Sequence, residues 1–189
     1  MNFLGHIYLS GEPSKIMVGN FLGDFIRKSQ IGAWNNELTK GFYRHHEIDR
    51  FTDTHPIVKQ SKNRLVPKYR HYSGVIIDIY YDHFLAKNWK DYSDVDLKTY
   101  AEHIYKYLDL QKAIFPEGAL RSLSYMTSMD WLYNYQYMEG MEMALGGLSR
   151  RAKFDSKMEL AVHDLKADYN LYEQEFQSFF PDIIKHIGV

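Results

Sequence analysis

Two aspartates and a histidine lie in a segment that is otherwise almost entirely apolar. Asp78 and Asp82 are four residues apart, so a helix would place them on one face, and His83 follows directly. A helix that is apolar nearly all round is largely buried, and buried like charges require a cation nearby. We therefore predict that Asp78 and Asp82 bind a metal ion. The alternative is that both carboxylates reach water through a gap in the packing.

A second group of candidate ligands follows one side of another predicted helix. His45, Asp49 and Asp53 are each four residues apart and would share that side. An imidazole and a carboxylate one turn apart can bind one divalent ion together. We predict that His45 and Asp49 are metal ligands, whereas surface ion pairing with Arg44 and Arg50 is the alternative.

A third candidate ligand is Asp24, in the segment GNFLGDF at 19–25. Asn20 and Asp24 are one helical turn apart, and Phe21 and Phe25 form the neighbouring apolar face. A carboxylate at the edge of a buried stripe is costly unless it is paired or bound to a metal. Asp24 is therefore a predicted metal ligand, with an ordinary aspartate at the core boundary as the alternative.

The types of these residues restrict the chemistry. The chain has no cysteine, which excludes disulfides and thiolate-bound metals. Carboxylate and imidazole ligands from three segments suit Mn²⁺, Mg²⁺, Fe²⁺ or Zn²⁺, with coordination positions left open for water. Such an ion lowers the pKa of bound water and neutralises phosphate oxygens. The pattern therefore predicts metal-assisted hydrolysis of a phosphoester.

Helices must position these residues, because apolar residues recur at helical spacing along the chain. The one short β-branched run, Val75 to Ile77, continues at helical spacing through Phe84. We predict an all-α fold, a single-domain helical bundle of seven to nine helices over residues 1–189. The predicted spans are 15–28, 35–53, a helix starting at Pro56, 70–89, 94–113, 117–136, 138–151 and 156–186, the last breaking near Pro181.

Bulk composition narrows the class of protein. Hydrophobic residues make up 45% and charged residues 25% of the chain, as in ordinary globular proteins. The formal net charge of -1 gives no field suited to nucleic acid or to an anionic membrane. No apolar run approaches the roughly 20 residues of a membrane-spanning helix, and the first residues do not form a signal peptide. We expect a cytoplasmic protein with no nucleic-acid partner and no membrane insertion.

Four sequence blocks, within about the first 90 residues, together resemble the acyl carrier protein phosphodiesterase family, also called ACP hydrolase. The blocks are MNFLGH at 1–6, GNFLGDF at 19–25, HxxIDxxTD at 45–53 and DxxxDHFLAxxW at 78–89. They occur in the order expected for that family. The resemblance implies a divergent HD-type helical phosphohydrolase fold.

The resemblance also implies an activity. This is hydrolysis of the phosphodiester that joins 4′-phosphopantetheine to a serine of acyl carrier protein, giving apo-protein and free phosphopantetheine. A divalent cation is implied, with Mn²⁺ favoured and Mg²⁺ or Fe²⁺ as alternatives. Carried over position by position, the implied metal ligands are Asp24, His45, Asp49, Asp78 and Asp82, and the implied catalytic residues are His83 and, with less support, His6 and Asp53.

The HD doublet departs from the ordinary HD pattern, because the candidate pair reads Asp82-His83, in reverse order. A literal doublet, His163-Asp164, lies outside the matching blocks, and we interpret it as chance surface composition. An imidazole that titrates near neutrality could protonate the leaving serine oxygen. The sequence leaves this role open between His83 and His6.

A basic stretch connects two of the predicted ligand helices, because residues 54–77 contain no acidic residue. Acyl carrier proteins are acidic, so a basic strip could steer and dock one. The alternative is a solvated basic segment balanced by acids elsewhere. The predicted partner-binding residues are Lys59, Lys62, Arg64, Lys68 and Arg70.

Two other functions stay open at this point. One is an HD-like, metal-dependent phosphohydrolase that acts on nucleotides or other small phosphoesters. The other is a non-catalytic helical binding module that holds its metal only for structure. An open, water-accessible coordination position beside a cleft would favour an enzyme, whereas a fully protein-filled ligand set would favour the binding module.

Overall fold

The computed structural model describes residues 1–189, which form α-helices joined by short turns, with no strand. The helices are α1 (Phe3–Tyr8), α2 (Lys15–Phe21), α3 (Asn36–Thr54), α4 (Pro56–Tyr69), α5 (Ser73–Lys87), α6 (Leu97–Gln111), α7 (Glu117–Ser128), α8 (Trp131–Asn134), α9 (Met138–Arg151), α10 (Ala161–Ala167) and α11 (Tyr169–Ile187). The predicted all-α fold is confirmed. One apolar core of 44 buried residues takes side chains from every one of these helices.

Helix α5 lies at the centre of this core. Eleven of its fifteen residues are buried, as predicted for a helix that is apolar nearly all round. It packs against α1, α4, α9 and α11. Its buried polar residues, such as Asp82 and His83, therefore face other parts of the chain, which must supply their hydrogen-bond partners.

Helices α2 and α3 cross at very short range, at Gly19 and Gly41. A Cβ atom at Gly19 would lie 2.1 Å from the carbonyl oxygen of Leu38, and one at Gly41 would lie 2.0 Å from that of Ile16. Only glycine permits this approach of two backbones. The crossing places α2 directly against the first two turns of α3.

Several boundaries agree with the predictions and others do not. The structure has eleven α-helices where seven to nine are predicted, because α1 lies outside the predicted spans and the span predicted at 117–136 is divided into α7 and α8. The side chain of Asn35 caps α3, and Pro56 begins α4 as predicted. Helix α2 ends earlier than predicted, at Phe21, and a 3₁₀ turn, Leu22–Asp24, follows it. The break predicted near Pro181 occurs at Asp168 instead.

Pro181 lies inside α11 because its neighbours are anchored in the core. Phe179, Phe180 and Ile183 are all fully buried around it. The free energy of burying these side chains offsets the hydrogen bond that proline cannot donate.

No helix of the structure is both long and apolar enough to cross a membrane.

Candidate metal centre and cleft

Two histidines and one aspartate form a compact cluster between α1 and α3. His45 and Asp49 lie one turn apart on α3, and His6 approaches them from α1. The Nε2 atoms of His6 and His45 lie 3.1 Å and 3.2 Å from the two carboxylate oxygens of Asp49. One potential ligand atom from each residue lies within 4.8 Å of the others, which is the arrangement of a metal site.

Asp24 extends this cluster from the 3₁₀ turn after α2. Its Oδ1 lies 3.3 Å from Nε2 of His45. The preceding residue, Gly23, packs against the ring of His45, and a Cβ atom there would lie 2.2 Å from Cγ of that ring. The glycine therefore lets the turn approach α3 closely enough for Asp24 to reach the histidine.

Hydrogen bonds to Asn20 determine which nitrogen of His6 carries the proton. The amide nitrogen of Asn20 donates to the carbonyl oxygen of His6 and to Oγ of Ser10. Its Oδ1 lies 2.9 Å from Nδ1 of His6, and this oxygen can only accept. Nδ1 of His6 is therefore the donor, and in the neutral ring Nε2 presents a lone pair to the cluster.

That lone pair faces the carboxylate of Asp49, so two acceptors oppose each other at 3.1 Å. Such a pair is unfavourable unless a cation lies between or beside the two atoms. The donor set of two imidazoles and one or two carboxylates fits a divalent metal. Asn20 would then orient a metal-binding histidine by accepting a hydrogen bond from the ring nitrogen that does not face the metal.

Hydrogen bonding also sets the charge of the cluster. Burial disfavours the charged form of His45, but hydrogen bonds to Asp24 and Asp49 outweigh it and raise its pKa to about 9. Burial opposes ionisation of Asp49 and Asp24, yet their hydrogen bonds to histidine hold both pKa values below the usual range. Burial lowers the pKa of His6. At neutral pH a metal would therefore have to displace the proton of His45.

The cluster borders a cleft of about 700 Å³. His6, Asp24 and Asp49 lie on one wall of the cleft. The opposite side takes polar residues from α7 and the end of α9, which are Arg121, Ser122, Tyr125 and Arg151. Apolar side chains complete the lining, namely Met1, Phe3, Phe25, Val75, Trp131 and Leu148. Three of the four potential ligands are therefore accessible to a bound molecule, whereas His45 is buried and does not line the cleft.

The structure places Asp82 beneath α1 and outside the histidine cluster. Its carboxylate accepts hydrogen bonds from the backbone nitrogens of Asn2, Leu4 and Gly5, at 3.0, 2.7 and 3.2 Å. Burial raises the pKa of Asp82 to about 7, against the effect of those donors and of the N-terminal ammonium group. Asp82 thus caps the N-terminus of the helix that carries His6.

Asp78 lies one turn before Asp82 on α5 and lines the cleft. Its Oδ1 accepts a hydrogen bond of 2.8 Å from the α-ammonium group of Met1. The two aspartates of α5 therefore bind the start of the chain, Asp78 through the ammonium group of Met1 and Asp82 through backbone N–H groups.

His83 lies away from the cleft. Its Nδ1 donates to the carbonyl oxygen of Tyr135 at 2.7 Å, and its Nε2 accepts from the hydroxyl of Tyr169 at 2.8 Å. Both ring nitrogens are thus used, and the residue is only 1% exposed. The literal doublet at 163–164 is also remote from the cleft, because Asp164 bonds to Tyr69 and Lys68.

The predicted basic strip is divided between two environments. Lys62 forms an ion pair of 2.8 Å with Asp53, which lines the cleft, so Lys62 lies at the rim. Arg64 pairs with the buried Glu175, and Lys68 pairs with Asp164 at 2.7 Å. Lys59 and Arg70 are exposed and have no ion pair in the structure.

Sequence reasoning missed three features of this site. Asn20 was noted only for its position, although it is buried and orients His6. The sequence feature that could have pointed to Asn20 is its position one turn before the candidate ligand Asp24, on the edge of an apolar helix face. Arg121 and Arg151 were not singled out, because exposed arginines at helical spacing look like any solvated surface.

Comparisons with known proteins agree with the resemblance found in the sequence. The family model described as acyl carrier protein phosphodiesterase matches residues 1–183. The chain belongs to the acyl carrier protein phosphodiesterase family. The match extends well beyond the first 90 residues or so that carry the four blocks and includes α7 and α9, which form the far side of the cleft.

Individual relatives cover nearly the same length. An acyl carrier protein phosphodiesterase of Klebsiella pneumoniae (strain 342) is 30% identical over 191 residues, which span 98% of this chain and 96% of the relative. One of Yersinia enterocolitica is 29% identical over 182 residues, 96% of this chain and 94% of the relative. No solved structure matches the chain. The relation to HD-type folds therefore stays a prediction.

Proposed function

We propose that this protein hydrolyses the phosphodiester between 4′-phosphopantetheine and the serine of holo acyl carrier protein. The observation that carries the proposal is the cluster of His6, His45 and Asp49, which opens onto a cleft large enough for a substrate arm. Family membership supports the choice of substrate. The products would be apo acyl carrier protein and free phosphopantetheine.

The proposed metal is Mn²⁺, with Mg²⁺ or Fe²⁺ as alternatives, held by His6, His45 and Asp49 together with Asp24. When bound, it would lower the pKa of a water molecule and neutralise charge on the phosphate. The remaining roles belong to the chain. Asn20 fixes the ring of His6, Gly23 admits the turn that carries Asp24, and Asp82 anchors α1.

Asp53 is proposed to accept a proton from the attacking water. It lines the cleft one turn beyond Asp49, and the ammonium group of Lys62 lies 2.8 Å from its carboxylate. The bond from phosphorus to the serine oxygen breaks as the bond to the water oxygen forms, and solvent returns a proton to the serine. His6 would be held as a ligand and His83 is enclosed by tyrosines, so neither is assigned as the general acid.

Acyl carrier protein is proposed to dock through the exposed, unpaired cations of this region, which are Lys59 on α4 and Arg70 at its C-terminal end. Lys62, Arg64 and Lys68 contribute less, because Asp53, Glu175 and Asp164 already neutralise them. Charge reversal at Lys59 and Arg70 should weaken turnover of the carrier protein in a salt-dependent way and leave small diesters unaffected. Reversal of Lys112, beyond α6, is the matched control.

The decisive experiment is mass spectrometry of holo acyl carrier protein incubated with this protein and Mn²⁺. The expected result is loss of the phosphopantetheine mass, which disappears when His45→Ala or Asp49→Ala replaces the wild type. Nucleotides and small diesters are assayed in parallel. Cleavage of nucleotides with an unchanged carrier protein would contradict the proposed substrate, and metal binding without any cleavage would contradict an enzymatic function.

A further inference from the structure

A second, narrower cavity adjoins the cleft on the side away from the histidines. It measures about 60 Å³, and five of its lining residues, Asn2, Phe3, Trp131, Leu148 and Arg151, also line the cleft. Its own walls come from α5, α8 and α9, through Ile79, Tyr135, Met143, Ala144 and Gly147. We call the cavity and the wall it shares with the cleft the furrow.

We propose that the furrow binds the pantetheine arm of the substrate, with the thiol end of the arm at Gly147 and Ala144. This inference rests on the proposed function and adds the part of the site that recognises the substrate. The cluster at His6, His45 and Asp49 would hold the phosphodiester, and the arm would run from there across Phe3 and Trp131 into the furrow.

The chemistry of the lining fits a neutral chain that carries amides and methyl groups. No carboxylate lines the furrow, and most of its surface is apolar. Asn2 donates through Nδ2 to the hydroxyl of Tyr135 at 3.1 Å, which leaves its Oδ1 free to accept from an amide of the arm. An apolar groove with one or two placed polar groups is the usual design of a site for such a ligand.

Arg151 occupies the junction between the two cavities. It lines both, it is exposed, and it forms no ion pair. A free guanidinium group at this point would face the anionic phosphate end of the substrate, while the neutral arm continues past it. The cationic Arg151 thus lies toward the end that would hold the phosphate, and the furrow beyond it is neutral like the pantetheine arm.

The cavity at the end of the furrow is much smaller than the cleft, about 60 Å³ against about 700 Å³. It would therefore take the slender end of the pantetheine arm, while the cleft takes the phosphodiester at the other end.

Gly147 gives a way to fill the furrow without disturbing the fold. A Cβ atom there would have only the guanidinium of Arg151, at 3.8 Å, and that of Arg150, at 3.9 Å, as near neighbours. Both are flexible side-chain ends. The residue lies inside α9, where leucine and alanine both form helix better than glycine.

The test compares Gly147→Leu, which fills the furrow, with Gly147→Ala, which nearly preserves it. Gly32→Leu is the matched control, because Gly32 is exposed and has open space around it. Each variant is assayed on holo acyl carrier protein and on bis(4-nitrophenyl) phosphate, a diester without the arm. Free pantetheine is added as an inhibitor of small-diester cleavage.

Gly147→Leu should lower kcat/KM for holo acyl carrier protein by about tenfold or more and change small-diester cleavage less than about twofold, because it removes only remote binding energy. Pantetheine should inhibit small-diester cleavage by the wild type, Gly147→Ala and Gly32→Leu. It should inhibit Gly147→Leu only weakly. The inference would be overturned if Gly147→Leu lost activity equally on both substrates or on neither. It would also be overturned if pantetheine inhibited Gly147→Leu as strongly as the wild type. A wild type that cleaves the small diester and leaves holo acyl carrier protein intact would instead overturn the proposed function, and the inference with it.

Discussion

Asp49 on α3 and Asp82 on α5 are both carboxylates that hold the short helix α1, yet their partners differ. Asp49 faces the Nε2 lone pair of His6 and the Nε2 atom of His45, whose proton a bound metal ion would displace. Asp82 is fully buried but accepts three backbone N–H groups at the start of α1. The comparison teaches that burial of a carboxylate does not by itself predict a metal, because backbone donors can satisfy it equally well.

The largest effect should come from Asp49→Asn. The amide presents a donor where the cluster needs an anionic ligand, so metal affinity and turnover of holo acyl carrier protein should fall by more than the roughly 100-fold typical of losing an outer partner. Calorimetric titration with Mn²⁺ measures the metal affinity, and the mass-spectrometric assay measures the turnover. Glu47→Gln, on an exposed side of the same helix, is the control. Retained Mn²⁺ affinity in Asp49→Asn would contradict the assignment of the cluster.

The charge of His45 predicts a pH dependence of stability in the metal-free protein. The folded-state pKa of about 9 lies above the usual value of 6.5, so this contribution is fully present below pH 6.5 and is lost as the pH rises through 9. At 1.36 kcal/mol per pKa unit, up to about 3 kcal/mol of stability should disappear over that interval. Urea unfolding at several pH values measures it.

The control for that pH dependence is His45→Gln, which should give a clearly shallower profile from pH 6.5 to 9, whereas His46→Gln on the same helix should keep the full slope. Saturation with Mn²⁺ should also remove the slope, because metal binding displaces the proton, and calorimetry in two buffers should detect its release near pH 7. A stability that rises with pH in the metal-free wild type would contradict the predicted sign.

Asp82→Asn should act on stability and much less on the metal. The amide can keep one oxygen for Asn2 and Gly5, but its NH₂ group then opposes the buried N–H of Leu4. One unsatisfied buried donor costs about 2 kcal/mol. The free energy of unfolding should fall by that amount, while the Mn²⁺ affinity of the folded variant changes less than in Asp49→Asn. Asp94→Asn, at an exposed position, is the control; a loss of metal affinity equal to that of Asp49→Asn would restore Asp82 as a ligand.

The sequence predicted the all-α fold because apolar residues recur at helical spacing, and it predicted the burial of α5 for the same reason. Residues on one helix, such as His45 and Asp49, were grouped correctly because helical spacing alone sets their relation. Contacts between helices were beyond reach. The partners of Asp82 come from the backbone of α1, a helix of six residues that is too short to show a periodic pattern.

The same limit explains why the cleft residues of α7 and α9 were not predicted from the sequence. Arg121 and Arg151 acquire meaning only from the packing of α7 and α9 against the first helices, which no local pattern encodes. His83 shows the reverse case. Its neighbour Asp82 and the family block suggested catalysis, but the tyrosines that enclose it come from residues 135 and 169.

The smallest of the predicted effects concerns the tautomer of His6. Asn20→Ala removes the acceptor that holds the proton on Nδ1, so the ring loses its fixed orientation while all potential ligands remain. Mn²⁺ affinity should fall by about tenfold, at the lower end of losses for an outer partner. Ser10→Ala is the matched control, because it removes a second hydrogen bond of Asn20 and leaves the contact with His6. Nitrogen NMR of His6 distinguishes orientation from simple destabilisation, since only loss of the Asn20 acceptor should shift the proton toward Nε2. An unchanged tautomer with unchanged affinity would show that the cluster orients His6 without Asn20, through the contacts of His6 with Asp49 and His45 on α3.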